Sequence, residues 1–163
     1  MVEIRVEDVA ARLVAVTRWP HGHPEAHAHD VGGPFERSAD AVAAAVQRAG
    51  GVVVGAPFLW HGGARHVADV VVGVPVAGLR VGDVAGGGDG DAIAVEVVRR
   101  PGGRAAVARA EGDADAVAGL RRELAVWLDV RQLEPADAHW EERLGDPSGD
   151  ARRTVTRLVR PLA

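Results

Sequence analysis

A strand–helix–strand–strand order occurs twice along this chain, and that internal repeat constrains the fold more than any single motif does. In the first round, residues 3–18 (EIRVEDVAARLVAVTR) alternate broadly in Val, Ile and Leu. That pattern predicts one long strand with a bulge near Glu7-Asp8. Pro34 suits a first helical position, and Phe35, Ala39, Val42, Val46 and Ala49 share one helical face that Gly50-Gly51 ends. VVVGAPFLW (52–60) and HVADVVVGVPV (66–76) predict two strands around a turn at Gly62-Gly63. The Gly-rich, acidic stretch at about 79–90 reads as a linker.

The second round opens with AIAVEVVRRPGGRAAVARAEG (92–112), an extended, hairpin-like segment broken at Pro101-Gly102-Gly103. Asp113 or Asp115 can cap the next helix, whose apolar stripe is Val117, Leu120, Leu124, Trp127 and Leu128. AHWEERLG (138–145) and RRTVTRLVRPL (152–162) are its closing strands. The chain of 163 residues is therefore read as one domain, with a first repeat over about 3–78 and a second over about 91–162. The expected fold class is α+β. Two pseudo-symmetric β-α-β-β units form one antiparallel sheet, with the helices on one face and a ligand cleft on the other.

Composition removes several chemistries. The chain has no Cys, Lys or Tyr, and all nineteen basic residues are Arg. Disulfides, zinc–thiolate sites, thiol catalysis and Schiff-base chemistry are excluded, and the bias points to a GC-rich bacterial genome. A net charge of −4 without a basic stripe argues against a nucleic-acid partner. No apolar run reaches the roughly 20 residues of a membrane span. The acidic N-terminus lacks an apolar signal region, so a cytoplasmic protein is expected. Gly86-Gly87-Gly88 does not open a helix in the manner of a nucleotide-binding loop, and no cofactor is implied. The run His21-Gly22-His23-Pro24-Glu25-Ala26-His27-Ala28-His29-Asp30 has no recognised ligand spacing. It reads as a polar loop and no metal is assigned.

The stretch AHWEERLGDP (138–147) raises the functional question. In a strand, His139, Glu141 and Arg143 share one face, while Trp140, Glu142 and Leu144 share the other. Either choice puts a carboxylate on the inner face. The repeat aligns Phe58 with Glu141 and Trp60 with Arg143. On that register Phe58 and Trp60 supply flat stacking area, and the Glu141/Arg143 pair supplies polarity to a wet cleft. Trp127 and Phe35 read as core, and Trp140 joins them if Glu141 faces the cleft. Trp19 either walls the cleft or caps the core.

The order EIRVEDVAARLVAVTRW, GGPFERSADAV, DVVVGVPV, EERLGDP and TVTRLVRPL resembles the GyrI-like small-molecule-binding domain family over nearly the whole chain. The resemblance implies tandem β-α-β-β units with a ligand cleft between them, aromatic side chains that stack on the ligand, and a glutamate at the cleft floor. By the register of Asp146-Pro147 that glutamate is Glu141. Arg143 stands where the family often has tyrosine, and the His-rich segment at 20–31 is not a usual family feature. With no helix-turn-helix domain beside it, the chain is expected to be a stand-alone module.

Two functions follow as expectations. The first is binding of a hydrophobic, planar aromatic small molecule, an antibiotic or toxic metabolite, giving resistance by sequestration. Its ligand-binding residues are Glu141, Arg143, Trp60, Phe58 and Trp19. The second, implied by hydrolases within the family, is opening of a strained cyclopropanoid ring of a DNA-alkylating natural product. There Glu141 orients or activates water, and Arg143 or a loop histidine stabilises developing negative charge. A third expectation, from the family's name, is a partner-binding inhibitor of a larger enzyme.

Overall fold

The computed structural model describes residues 2–19, 33–62, 70–85, 93–145 and 154–163. The His-rich segment 20–31, the Gly86-Gly87-Gly88 run and the start of the predicted strand 66–76 lie outside the described residues. The elements are β1 (Ile4–Val9), β2 (Arg12–Arg18), α1 (Pro34–Arg48), β3 (Val52–Val53), β4 (Phe58–His61), β5 (Val70–Ala77), β6 (Val84–Ala85), β7 (Val95–Arg100), β8 (Gly103–Glu111), α2 (Ala114–Val130), β9 (His139–Gly145) and β10 (Val155–Pro161). The fold is α+β with antiparallel pairing, as the repeat predicts. The sheet runs β1-β8-β10-β9-β4-β5-β2-β7-β6, and β3 pairs with the end of β5.

The central pair β9–β4 marks a pseudo-twofold axis. Outward from it lie β10 and β5, then β8 and β2, then β1 and β7. Each half therefore lends its first strand to the other. β1 pairs with β8, and β7 pairs with β2. The single strand expected over 3–18 is thus two strands, parted at Ala10-Ala11 without the predicted bulge. The physical reason is the change of partner, because one straight strand cannot pair with β8 near one end of the sheet and with β5 and β7 near the other. Pro101-Gly102 makes the equivalent corner between β7 and β8, where proline withholds a ladder N–H. The two corners cross in contact. A Cβ on Gly102 would lie 2.5 Å from both the Val9 carbonyl oxygen and the Ala11 nitrogen, so only glycine fits.

Helix α1 begins with Pro34 at its first turn, and α2 is capped by Asp113. The Asp113 carboxylate accepts from the N–H groups of Asp115 (3.1 Å) and Ala116 (3.2 Å), which decides between the two candidate caps. Such a cap contributes about 1 kcal/mol. Both helices cover the same face of the sheet. α1 sets Val42, Ala45 and Val46 on Ala15, Val74 and Val97, while Phe35 and Ala39 meet Leu59 and Val72. α2 sets Val117, Leu120, Leu124 and Leu128 on Ala106, Ala108 and Leu158. Trp127 joins the edge of this cluster, half-buried, with the Arg131 guanidinium 4.5 Å from its ring centroid.

The helix-free face, where a ligand cleft is expected from the sequence, is instead filled by a buried core. Val14, Val16, Phe58, Trp60, Val71, Val107, Trp140 and Val159 form one buried cluster drawn from both repeats. A single sheet achieves this by curling until that face packs against itself. Gly73 lies opposite Phe58, and a Cβ there would sit 2.8 Å from the Phe58 ring. Its missing side chain lets the ring lie across the neighbouring strand.

Candidate ligand site

Strand β9 carries a glutamate to each face, and both are buried. Glu141 pairs across β4 with Leu59 and across β10 with Leu158, residues packed beneath α1 and α2. Glu141 therefore faces the helices and is 3% exposed. Trp60 lies opposite Trp140, and Phe58 opposite Glu142. The expected alignment of Phe58 with Glu141 is off by one residue. The segment 52–60, read as one strand, breaks between β3 and β4, and the residues between them shift the count. Because strand faces alternate, one step moves Phe58 and Trp60 to the face opposite Glu141.

The partner of Glu141 is Arg121 of α2. The guanidinium donates from Nε (2.8 Å) and from Nη2, and both bonds converge on Oε1. Oε2 is buried without a hydrogen-bond partner. Arg143 shares Glu141's face but reaches Glu36 of α1, at 3.6 Å, instead of the expected Glu141. Trp19 packs, half-buried, against Phe35, Leu59 and Val72 on this same face. Of the five residues singled out from the sequence, Glu141, Arg143 and Trp19 therefore share the helix-covered face. Phe58 (0% exposed) and Trp60 (2%) lie in the core behind them.

Sequence reasoning missed three groups beside Glu141. His61 and His139 are register partners whose rings stack at 4.7 Å with 6° between planes. Burial lowers the pKa of both. His139 falls to about 4, helped by His61, Arg160 and Arg121; for His61 the Glu141 carboxylate opposes part of the fall. Both rings are neutral at pH 7. His139 had a legible signal, since it precedes Glu141 by two residues. So did Arg121, since Val117, Arg121, Leu124 and Leu128 follow a four-three-four spacing that puts a charge on the core seam.

A cavity of about 360 Å³ opens between α2 and the sheet centre. Leu124, Leu128, Leu133, Pro135 and Leu158 give it apolar walls; Glu141, Arg121, His139, Asp129 and Arg160 give it polar points. This is the size and chemistry of a small-molecule pocket. Among the described residues, no group of three His, Cys, Asp or Glu side chains is placed to hold a metal ion.

The other carboxylate, Glu142, anchors a charged network within the helix-free core. It accepts from Arg157 Nη1 (2.8 Å) and Trp140 Nε1 (3.1 Å), and Arg100 Nη2 lies 3.6 Å away. Arg157 also reaches Glu7 of β1 at 2.6 Å. Arg100, 3% exposed, rests over Phe58 at 4.5 Å and Trp140 at 4.3 Å. Burial lowers its pKa to about 10, partly opposed by Glu142, so it stays charged. Glu7 is held below its ordinary carboxylate value chiefly by its bond to Arg157.

The depressed histidine makes stability depend on pH. A group whose folded pKa lies below its unfolded value binds its proton preferentially in the unfolded chain. His139 therefore contributes fully above about pH 6.5, and its contribution is lost as pH falls toward 4. We expect the unfolding free energy measured in urea to drop across that window by an amount on the order of 1–3 kcal/mol more than in His139→Gln. Parallel curves for the two proteins would remove His139 as the cause.

The fold and site define a two-repeat α+β module with a curled sheet and a carboxylate-floored cavity beneath one helix. No family model and no curated protein sequence matches the chain. Solved structures do match in fold. The EcmrR C-terminal domain superposes with a TM-score of 0.66 at 13% identity, covering 100% of this chain and 98% of that one. In the cryo-EM structure of an EcmrR–DNA complex the TM-score is 0.68 at 14% identity, and this chain spans 57% of the EcmrR chain. SAV2435 bound to tetraphenylphosphonium gives 0.60 at 14%, covering 99% of this chain and 94% of that one. A hydrolase from Listeria innocua gives 0.60 at 11%, covering 99% and 92%. At such identities the likeness is one of fold. Among the described residues, no helix is long and apolar enough to cross a membrane.

Proposed function

We propose that this chain is a GyrI-like small-molecule-binding module. It holds a hydrophobic, planar aromatic compound, an antibiotic or toxic metabolite, in the cavity beneath α2, lined by the second repeat instead of lying between the two, and gives resistance by sequestration. The observation that carries this is Glu141, a buried carboxylate with one oxygen unpartnered, bordering an apolar cavity of drug-like volume. An unsatisfied buried acceptor costs about 1–3 kcal/mol, which a ligand donor would recover. The apolar walls supply affinity and Glu141 supplies orientation. Arg143 and Trp19 share Glu141's face but belong to the α1 side and do not line this cavity, and Phe58 and Trp60 lie in the core on the other face of the sheet. SAV2435, which shares the fold, was solved bound to tetraphenylphosphonium, and this supports small-molecule binding in general.

A second reading, hydrolysis of a strained cyclopropanoid ring, is favoured by one observation. The free oxygen of Glu141 shares its face with a neutral imidazole pair and with Arg121. Glu141 would take a proton from water as the water oxygen bonds to a ring carbon. The strained carbon–carbon bond would break, and its electron pair would pass to the conjugated carbonyl, steadied by Arg121 or Arg143.

One experiment tests both. The chain has four Trp and no Tyr, and Trp140 borders the cavity, so tryptophan emission reports on the site. Planar aromatic compounds, including cyclopropane-bearing alkylators, are added and emission is followed in time. Persistent quenching is the expected result for sequestration; quenching that recovers as product forms supports hydrolysis. Glu141→Gln is expected to weaken a hydrogen-bond-donating ligand about tenfold. Emission that never responds to any such compound would sink both readings.

A further inference from the structure

Whether the pocket takes a cation or an uncharged compound depends on what else faces Glu141. α2 presents Arg121, whose guanidinium closes on Oε1 with two donors. The lining adds Arg160 against Asp129, so two positive groups balance two negative ones. The stacked His61 and His139 complete the polar surroundings and are neutral at pH 7. No net negative charge remains to offset the loss of hydration of a buried cation. Two buried polar atoms of the lining remain without a hydrogen-bond partner, Glu141 Oε2 and His139 Nδ1, and of the two only the carboxylate oxygen is an obligate acceptor. The geometry also separates the two charges. The Glu141 side chain is 4% exposed while that of Arg121 is 36% exposed, so the carboxylate lies deep and the guanidinium covers it from the solvent side.

We infer that Arg121 sets the ligand's charge class: the pocket selects an uncharged planar compound that presents an N–H or O–H donor to Glu141 Oε2, and disfavours a permanent lipophilic cation. This rests on the binding reading above. Arg121 is a specificity determinant here, acting through the carboxylate it neutralises. Substituting it by an uncharged side chain leaves Glu141 as an uncompensated anion and turns the same cavity toward cations. A lysine in its place keeps the charge and the original ranking.

Three compounds on one tricyclic frame separate charge from hydrogen bonding. Acridone is neutral with an N–H donor, 10-methylacridone is neutral without one, and 10-methylacridinium is a permanent cation. Calorimetric titration of the unaltered protein at pH 7.5 is expected to show acridone binding at least tenfold tighter than 10-methylacridinium. 10-Methylacridone should fall below acridone. Arg121→Gln is expected to raise the affinity for 10-methylacridinium at least tenfold, and Arg121→Lys to leave the ranking as it was. Because the ranking is read on the unaltered chain, the test stands even if Arg121→Gln fails to fold. Equal or tighter binding of the cation by the unaltered protein overturns the inference and leaves the binding reading intact. Equal binding of the two neutral compounds overturns the assigned donor contact. Binding of none of the three removes the binding reading, and this inference with it.

Discussion

Glu142→Ala is expected to lower stability by about 3–5 kcal/mol, with a fall in Tm of roughly 6–20 °C. Glu142 is the only carboxylate that reaches both Arg157 and Arg100 among the described ion pairs. Its removal strands Arg100, 3% exposed, with no acceptor and only the Phe58 and Trp140 rings for company. A buried pair adds little over a good apolar core, but half of one costs a great deal. Arg157 fares better, because Glu7 still holds its other nitrogen. The double substitution Glu142→Ala with Arg100→Met is therefore expected to recover most of the loss. Chemical denaturation of the two variants decides it. A loss under about 1 kcal/mol in the single variant would mean that Arg100 reaches water, contrary to its burial.

Trp60→Ala is the second large effect, at about 3–5 kcal/mol, with the cavity left by the ring adding to the lost burial. The side chain is 2% exposed within a cluster that includes Val14, Val16, Val71 and Trp140. Trp60→Phe is the more informative variant. The Trp60 Nε1 is buried without a partner, so the phenyl ring removes an unsatisfied donor along with some volume. Its cost is expected to stay within about 1–2 kcal/mol. Ligand affinity should be unchanged within a factor of two, as suits a residue behind the floor. A tenfold loss of affinity with stability intact would instead put Trp60 against the ligand.

The repeat made the fold legible because each round carries its own punctuation. Pro34 and Gly50-Gly51 bracket α1, and Asp113 opens α2. Alternation in β9 set Glu141 and Arg143 on one face. What the pattern could not carry was the count of residues between β3 and β4. A run such as VVVGAPFLW keeps its apolar character through a break, so the register slipped by one, and Phe58 and Trp60 changed faces. Ala10-Ala11 hid in the same way. Two alanines continue an alternating pattern without marking the corner they make, whereas Pro101-Gly102 announces its own. The partner of Glu141 was missed for a different reason. Arg121 is distant in sequence and comes from a helix, and no strand pattern predicts a contact between layers. The neutral histidine pair depends on His61 and His139 meeting across the pseudo-axis, which only the true register supplies.

The exchange of first strands has a consequence for synthesis. Ile4 meets Ala108 and Arg12 meets Arg100 in the finished sheet. A nascent chain that has grown only as far as β6 holds β2, β4 and β5 but lacks β7, β8 and β9. β1 then has no partner on either side, and the outer edges of β2 and β4 are open. The apolar face bearing Phe58 and Trp60 has nothing to close on. Such open edges are templates for wrong pairing. The first repeat is thus an unfinished object while it is alone on the ribosome. The second repeat acts as its template and its cover at once, so the chain acquires its sheet late and as a whole.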